Sequence, residues 1–180
     1  KSPLFDPDWA THGYMDQAVE LMETWCRTHA PSDATVEVVR LEGRTPVLLV
    51  EVPGQNEDTV LLYGHLDKQP EMVGWADGLG PWVPVIKDDK LYGRGGADDG
   101  YAAYASLTAL MALQREDMPH ARCVVIIEAC EESGSYDLPH YIPAGPGKMN
   151  SGEMRTCLNE YIGKIVYVPL WEDPCDLGPG

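Results

Sequence analysis

Residues 59–67 read Thr-Val-Leu-Leu-Tyr-Gly-His-Leu-Asp. The apolar run 59–63 is the length and composition of a buried strand, and Gly64 ends it. Beyond the glycine, His65 and Asp67 stand two apart. On an extended backbone such residues share a face, so they are placed to act together. An imidazole that binds a metal through one nitrogen usually donates its other N–H to an acceptor, often a carboxylate. Asp67 is that acceptor, or it orients the catalytic machinery. Taken singly, this pair is better accounted for as a turn aspartate beside a surface histidine.

Two further stretches follow the same pattern. Tyr92-Gly93-Arg94-Gly95-Gly96-Ala97-Asp98-Asp99-Gly100 leads into an alanine-rich segment, 99–114, that reads as a helix. Acidic residues at a helix start have an ordinary explanation in capping and the helix dipole. A phosphate cradle is another reading, but Asp98 and Asp99 would repel phosphate and the Lys-Ser/Thr ending of a P-loop is absent, so a metal explains the two acids better. The third stretch is the strand 122–129, followed by Cys130-Glu131-Glu132-Ser133-Gly134-Ser135. Adjacent glutamates at a strand end are commonly just solvated.

Upstream, residues 13–29 have Met15, Ala18, Val19, Met22, Trp25 and Cys26 at helical spacing, with Thr11 as the expected N-cap. Residues 35–41 and 46–52 read as strands, and the Gly- and Trp-rich stretch 68–88 as a series of turns. Strands alternating with helices predict an α/β domain, a three-layer α/β/α sandwich with a mostly parallel central sheet.

In open α/β sheets, ligand sites gather at the carboxyl ends of the strands. That topology brings His65, Asp67, Asp98, Glu131 and Glu132 to one rim. Several carboxylates that close raise one another's pKa values, and divalent cations remove that cost. One histidine with several oxygen ligands suits Zn²⁺, Mn²⁺ or Co²⁺. The spare glutamate becomes the general base toward water.

Composition narrows the partners. The chain has 180 residues, 44 % of them hydrophobic, and a formal net charge of −16. That is enough apolar matter for a core, and too acidic a surface for nucleic acid or an anionic membrane. No apolar run approaches the ~20 residues needed to cross a bilayer. Cys26, Cys123, Cys130, Cys157 and Cys175 are odd in number and form no Cys-x-x-Cys pair, which fits reduced thiols in a cytoplasmic protein. The start at Lys1 lacks Met, and the end at Asp173–Gly180 closes no element, so a truncated or discontinuous polypeptide is expected. The text changes character near Pro143-Ala144-Gly145-Pro146-Gly147. That change divides the chain into residues 1–142 and a separate segment, 143–180, with one helix expected over 153–161 and one strand over 164–168.

Together the three motifs resemble the metallopeptidase family of carnosinases and other cytosolic dipeptidases, aminoacylases and succinyl-diaminopimelate desuccinylase. The matching stretches are Tyr63–Pro70, Leu91–Asp99 and Glu128–Ser135, in the family's order and spacing, and the likeness covers roughly 9–142. Gly64–Pro70 and Trp75 look most like the carnosinase-type branch. The resemblance implies two divalent ions, with Zn²⁺ first and Mn²⁺ or Co²⁺ as alternatives. His65 and Glu132 would each bind one ion, and Asp98 would bridge them through a cis Asp98–Asp99 peptide. Asp67 would orient His65 and the base, and Glu131 would be the general base and acid. The substrate would be a dipeptide or small peptide, or an N-acyl amino acid, and the full-length protein would be a homodimer. A truncated domain that binds metal without turnover is the non-enzymatic alternative.

The sequence departs from the family at Gly100, where Lys is usual. A further aspartate ligand has no Asp counterpart; Glu160, within Asn159-Glu160-Tyr161, is the additional candidate. No histidine follows His140 to act as the second His ligand.

Overall fold

The computed structural model describes residues 1–141. Glu160, Cys157, Cys175 and the elements expected after residue 142 lie outside them. In chain order the elements are α1 (Trp9–His12), α2 (Tyr14–His29), β1 (Thr35–Val39), β2 (Val47–Val52), β3 (Asn56–His65), β4 (Val85–Lys87), β5 (Lys90–Tyr92), α3 (Ala102–Arg115) and β6 (Ala121–Glu128). Two single-turn 3₁₀ segments follow, Glu131–Ser133 and Leu138–His140.

The α/β class holds. Four strands form one sheet in the order β1-β2-β6-β3. The sheet is mixed rather than mostly parallel: β3 pairs parallel with β6, while β1–β2 and β2–β6 pair antiparallel. The connections dictate this. Residues 40–46 join β1 to β2 too briefly for anything but an antiparallel return, whereas the route from β3 through α3 to β6 is a crossover that makes neighbours parallel.

Alternation divides the sheet into two faces. Leu48, Val50 and Val52 of β2 and Cys123, Val125 and Ile127 of β6 are buried in the core. They meet Met15, Val19, Met22 and Cys26 of α2 and Ala102, Ala103, Leu107 and Leu110 of α3. Both helices contact the sheet and each other. Trp25 and Tyr104 join them edge to face, with ring centroids 4.6 Å apart. They therefore share one face, so the described residues form one helical layer on the sheet. On the opposite face Leu49, Leu61, Tyr63, Val124 and Ile126 are half-buried.

Local departures from the sequence reading have simple causes. Thr11 lies inside α1, and Gly13 at φ 73° both closes α1 and precedes α2, because glycine adopts this left-handed conformation without a Cβ penalty. Within the expected turn region, β4 and β5 form a hairpin across Asp88 and Asp89, both at positive φ (52° and 56°). Its strands of three residues are too short to display a period. Helix α3 starts at Ala102 rather than 99; Asp99 precedes it and accepts the Ala102 N–H at 3.2 Å.

Cys26, Cys123 and Cys130 are buried and unpaired with one another. Among the described residues no helix is long and apolar enough to cross a membrane.

Candidate metal centre

The rim expected from the sequence exists. Strand β3 ends at His65, directly beside Glu128 at the end of the parallel strand β6. The chain then leaves β6 for the Glu131–Ser133 turn, while the Gly-rich loop brings Asp98 in ahead of α3. Gly64 permits this close assembly. A Cβ there would lie 2.4 Å from the Ala102 Cβ and 2.6 Å from an Asp99 carboxylate oxygen.

His65 is buried and pinned on both sides. Its Nδ1 faces the Asp67 carbonyl at 3.1 Å and an Asp67 carboxylate oxygen at 3.4 Å. When the imidazole is neutral, an acceptor at Nδ1 places the proton there, which leaves the Nε2 lone pair for the rim. Nε2 lies 3.2 Å from Asp98 Oδ1 and 3.7 Å from Glu131 Oε2. Ligand atoms of His65, Asp98 and Glu132 all fall within 4.8 Å of one another. The three expected metal ligands thus converge, and the expected base stands beside them.

Asp67 does more than orient the imidazole. Its carboxylate oxygens accept the backbone N–H groups of Glu131 at 3.1 Å and Glu132 at 3.0 Å. One side chain therefore grips the turn that carries both glutamates. Burial alone would raise the Asp67 pKa, but hydrogen bonds with His65 and Ser2, the His65 charge and the Glu132 N–H hold it below the usual carboxylate value. Burial likewise lowers the His65 pKa, yet the Asp67 hydrogen bond and the charges of Asp67, Glu131 and Asp99 override it and push it up to about 9.

Glu132 shows what the site lacks in balance. Burial raises its pKa, the Gln69 hydrogen bond opposes this, and the charge of Asp98 adds to the rise. Gln69 donates to its Oε2, while its Oε1 is buried with no hydrogen-bond partner. An orphaned buried oxygen aimed among carboxylates and an imidazole is the donor set that a divalent cation satisfies.

The Asp98–Asp99 peptide is trans, not cis. Trans is the lower isomer of a non-proline bond by about 3–4 kcal/mol. Here Asp99 is held by local bonds: its carboxylate accepts from His65 N at 3.2 Å as well as from Ala102 N. Lys68 donates to the Asp99 carbonyl. Its aliphatic stem crosses Gly95, where a Cβ would come within 2.3 Å of Lys68 Cδ. An ammonium group thus reaches the acidic loop from position 68, in a chain with glycine at 100. Burial lowers the Lys68 pKa, against the opposing charges of Asp99, Asp67, Asp98 and Glu132.

Residues missed from the sequence are Lys68, Gln69, Ser2 and Ser133. Lys68 and Gln69 adjoin His65 and Asp67, and that adjacency was their available signal. Ser2 offered none, since its partner Ser133 lies 131 positions away.

Known proteins are similar to this chain. The family model described as "Peptidase family M20/M25/M40" matches residues 61–176, so the match runs on past residue 142. Beta-Ala-His dipeptidase of Homo sapiens is 36 % identical over 110 residues, which cover 59 % of this chain and 22 % of that protein. Its Mus musculus counterpart is 35 % identical over 102 residues, covering 54 % and 20 %. The chain thus spans about a fifth of the length of these curated relatives. Human carnosine dipeptidase 1 superimposes with a TM-score of 0.50 at 26 % identity, over 72 % of this chain and 35 % of that one. An M20 family metallo-carboxypeptidase from Sulfolobus solfataricus shares the fold, with a TM-score of 0.61 at 24 % identity over 71 % and 29 % of the two chains. With its matched stretch reaching across all three motifs of the rim, the chain belongs to peptidase family M20/M25/M40.

Proposed function

We propose that this chain is the N-terminal catalytic portion of a metal-dependent hydrolase that cleaves the amide bond of a dipeptide or small peptide. The observation that carries this is the convergence of His65, Asp98 and Glu132 within 4.8 Å, in a chain of this peptidase family whose relatives include dipeptidases. These three residues would hold the metal, with Asp98 shared between two ions and Zn²⁺ the first candidate. Bound there, a divalent cation supplies Lewis acidity toward a carbonyl oxygen and acidifies water.

The chain's own residues do the rest. Nδ1 of His65 is fixed by Asp67, which presents Nε2 to the rim. Asp67 also sets the Glu131–Glu132 turn. Glu131 is the general base: a carboxylate oxygen takes a proton from the attacking water and gives it to the departing amine nitrogen. Its side chain is 41 % exposed and stands beside His65, a placement that reaches both the centre and a substrate. The full-length protein would act in the cytoplasm, and as a homodimer.

Turnover of a dipeptide panel and an N-acyl amino acid panel, with Zn²⁺ and with Mn²⁺, tests this reading in the full-length protein. Dipeptide hydrolysis is expected, and Glu131→Gln should lower kcat by about 10²–10⁴-fold with metal still bound. Turnover that survives in Glu131→Gln removes Glu131 as the base. Preference for N-acyl amino acids moves the substrate class.

A further inference from the structure

We propose that the N-terminal strap Ser2–Leu4 positions the candidate metal ligands by hydrogen-bonding both the segment that follows β3 and the Glu131–Ser133 turn. The proposal rests on the metal-centre reading above for its functional consequence, and on the following contacts for its geometry.

Ser2 is fully buried. Its backbone N–H donates to the carbonyl of Lys68, next to Asp67, at 3.0 Å. Its hydroxyl lies 2.5 Å from the Ser133 hydroxyl. The Ser133 oxygen accepts the Leu4 N–H at 2.8 Å. A backbone N–H only donates, so Ser133 Oγ accepts from Leu4. Between the two hydroxyls either oxygen can be the donor, and the linked bonds polarise one another.

The consequence lies at the glutamates. Asp67 accepts from Glu131 N and Glu132 N, and Ser133 follows Glu132 in the same turn. The strap thus holds that turn at Ser133 and, through the Lys68 carbonyl, the segment that carries Asp67. Its partners are Lys68 and Ser133 rather than the candidate ligand atoms, so Ser2 is a positioning residue. Partners of ligands in this outer position typically change metal affinity by about 10–100-fold when removed.

The test is Ser2→Ala in the full chain, with two readouts. Hydrogen exchange on the metal-free protein is expected to speed up about tenfold at the amides of 131–133, with the amides of α2 and β2 unchanged. Calorimetric titration with Zn²⁺ is expected to show at least about tenfold weaker binding. Ser133→Ala breaks the same link from its other side and should reproduce both effects. Exchange at 131–133 equal to that of the unsubstituted protein in either folded variant overturns the strap, as does faster exchange with unchanged Zn²⁺ affinity. An unsubstituted chain that takes up no Zn²⁺ overturns the metal-centre reading instead, and the exchange result then still decides whether the strap holds the turn.

Discussion

Asp67 accepts the backbone N–H of Glu132 at 3.0 Å, although 65 residues separate them. The same carboxylate takes the Glu131 N–H through its other oxygen. Asparagine in its place is nearly the same size but keeps one acceptor and turns an NH₂ toward the second N–H. Asp67→Asn is therefore expected to bind Zn²⁺ about 10–100-fold more weakly with little change in global fold. Calorimetry alongside circular dichroism checks this, and undiminished affinity would show that the grip on the turn does not matter.

Gly64 is where β3 and α3 come closest. An alanine methyl would meet the Ala102 Cβ at 2.4 Å and Asp99 Oδ2 at 2.6 Å, and the Ala102 Cβ is fixed to the helix backbone and cannot turn aside. Overpacking of this kind costs about 1–3 kcal/mol. Gly64→Ala should lower the urea midpoint accordingly and weaken Zn²⁺ binding as α3 is pushed outward with Asp99. A midpoint within error of the unsubstituted chain would mean the two elements separate freely.

Glu128 lies fully buried at the end of β6. Tyr63 and Ser135 donate to its Oε1 at 2.5 Å and 2.8 Å, while Oε2 has no partner. Burial raises its pKa above 4.5, against the Tyr63 and Ser135 hydrogen bonds that favour the charged form. A carboxyl with a raised folded-state pKa contributes most stability below its unfolded value and loses it as pH rises through the folded one. Glu128→Gln keeps the acceptor for Tyr63 and Ser135 without the charge. The variant's thermal midpoint should stay level as pH rises from 4.5 toward neutrality, where the unsubstituted protein's declines. Parallel profiles for the two proteins would contradict this.

Cys26 has no exposed surface, and burial, with a smaller contribution from Glu23, pushes its thiol up to about 11. Reactivity requires the thiolate. At pH 8 a thiol reagent should label Cys26 only when denaturant unfolds the chain. Rapid native labelling at Cys26, located by peptide mass mapping, would place α2 away from the sheet.

The strand tips were legible because each is marked twice. Gly64 and the acidic turns punctuate the ends of apolar runs, and His65, Asp98, Glu131 and Glu132 sit just past those marks. The helical stripe Met15, Val19, Met22 and Cys26 was equally plain, since burial on one face imposes its period on the sequence. Sheet direction was less so. Alternation of side chains is the same in parallel and antiparallel strands, and the antiparallel pairing of β2 with β6 depends on where a distant strand inserts. Partners remote in sequence were invisible. Ser2 carries no periodicity and no motif, and Asp67 shows its bonds to the glutamate turn only when β3 and β6 lie side by side. The trans Asp98–Asp99 peptide is the ordinary state of a non-proline bond, and the cis expectation came from the family resemblance alone.

Metal uptake at the rim is the claim on which the functional reading stands. Titration of the metal-free chain with Zn²⁺ tests it directly when repeated on His65→Ala, Asp98→Ala and Glu132→Ala. At least one ion should bind the unsubstituted chain, and each substitution should weaken that binding by at least about tenfold, because each removes a ligand from a shared set. Binding of equal strength in all three variants, or none in the unsubstituted chain, would contradict a metal centre built from these side chains.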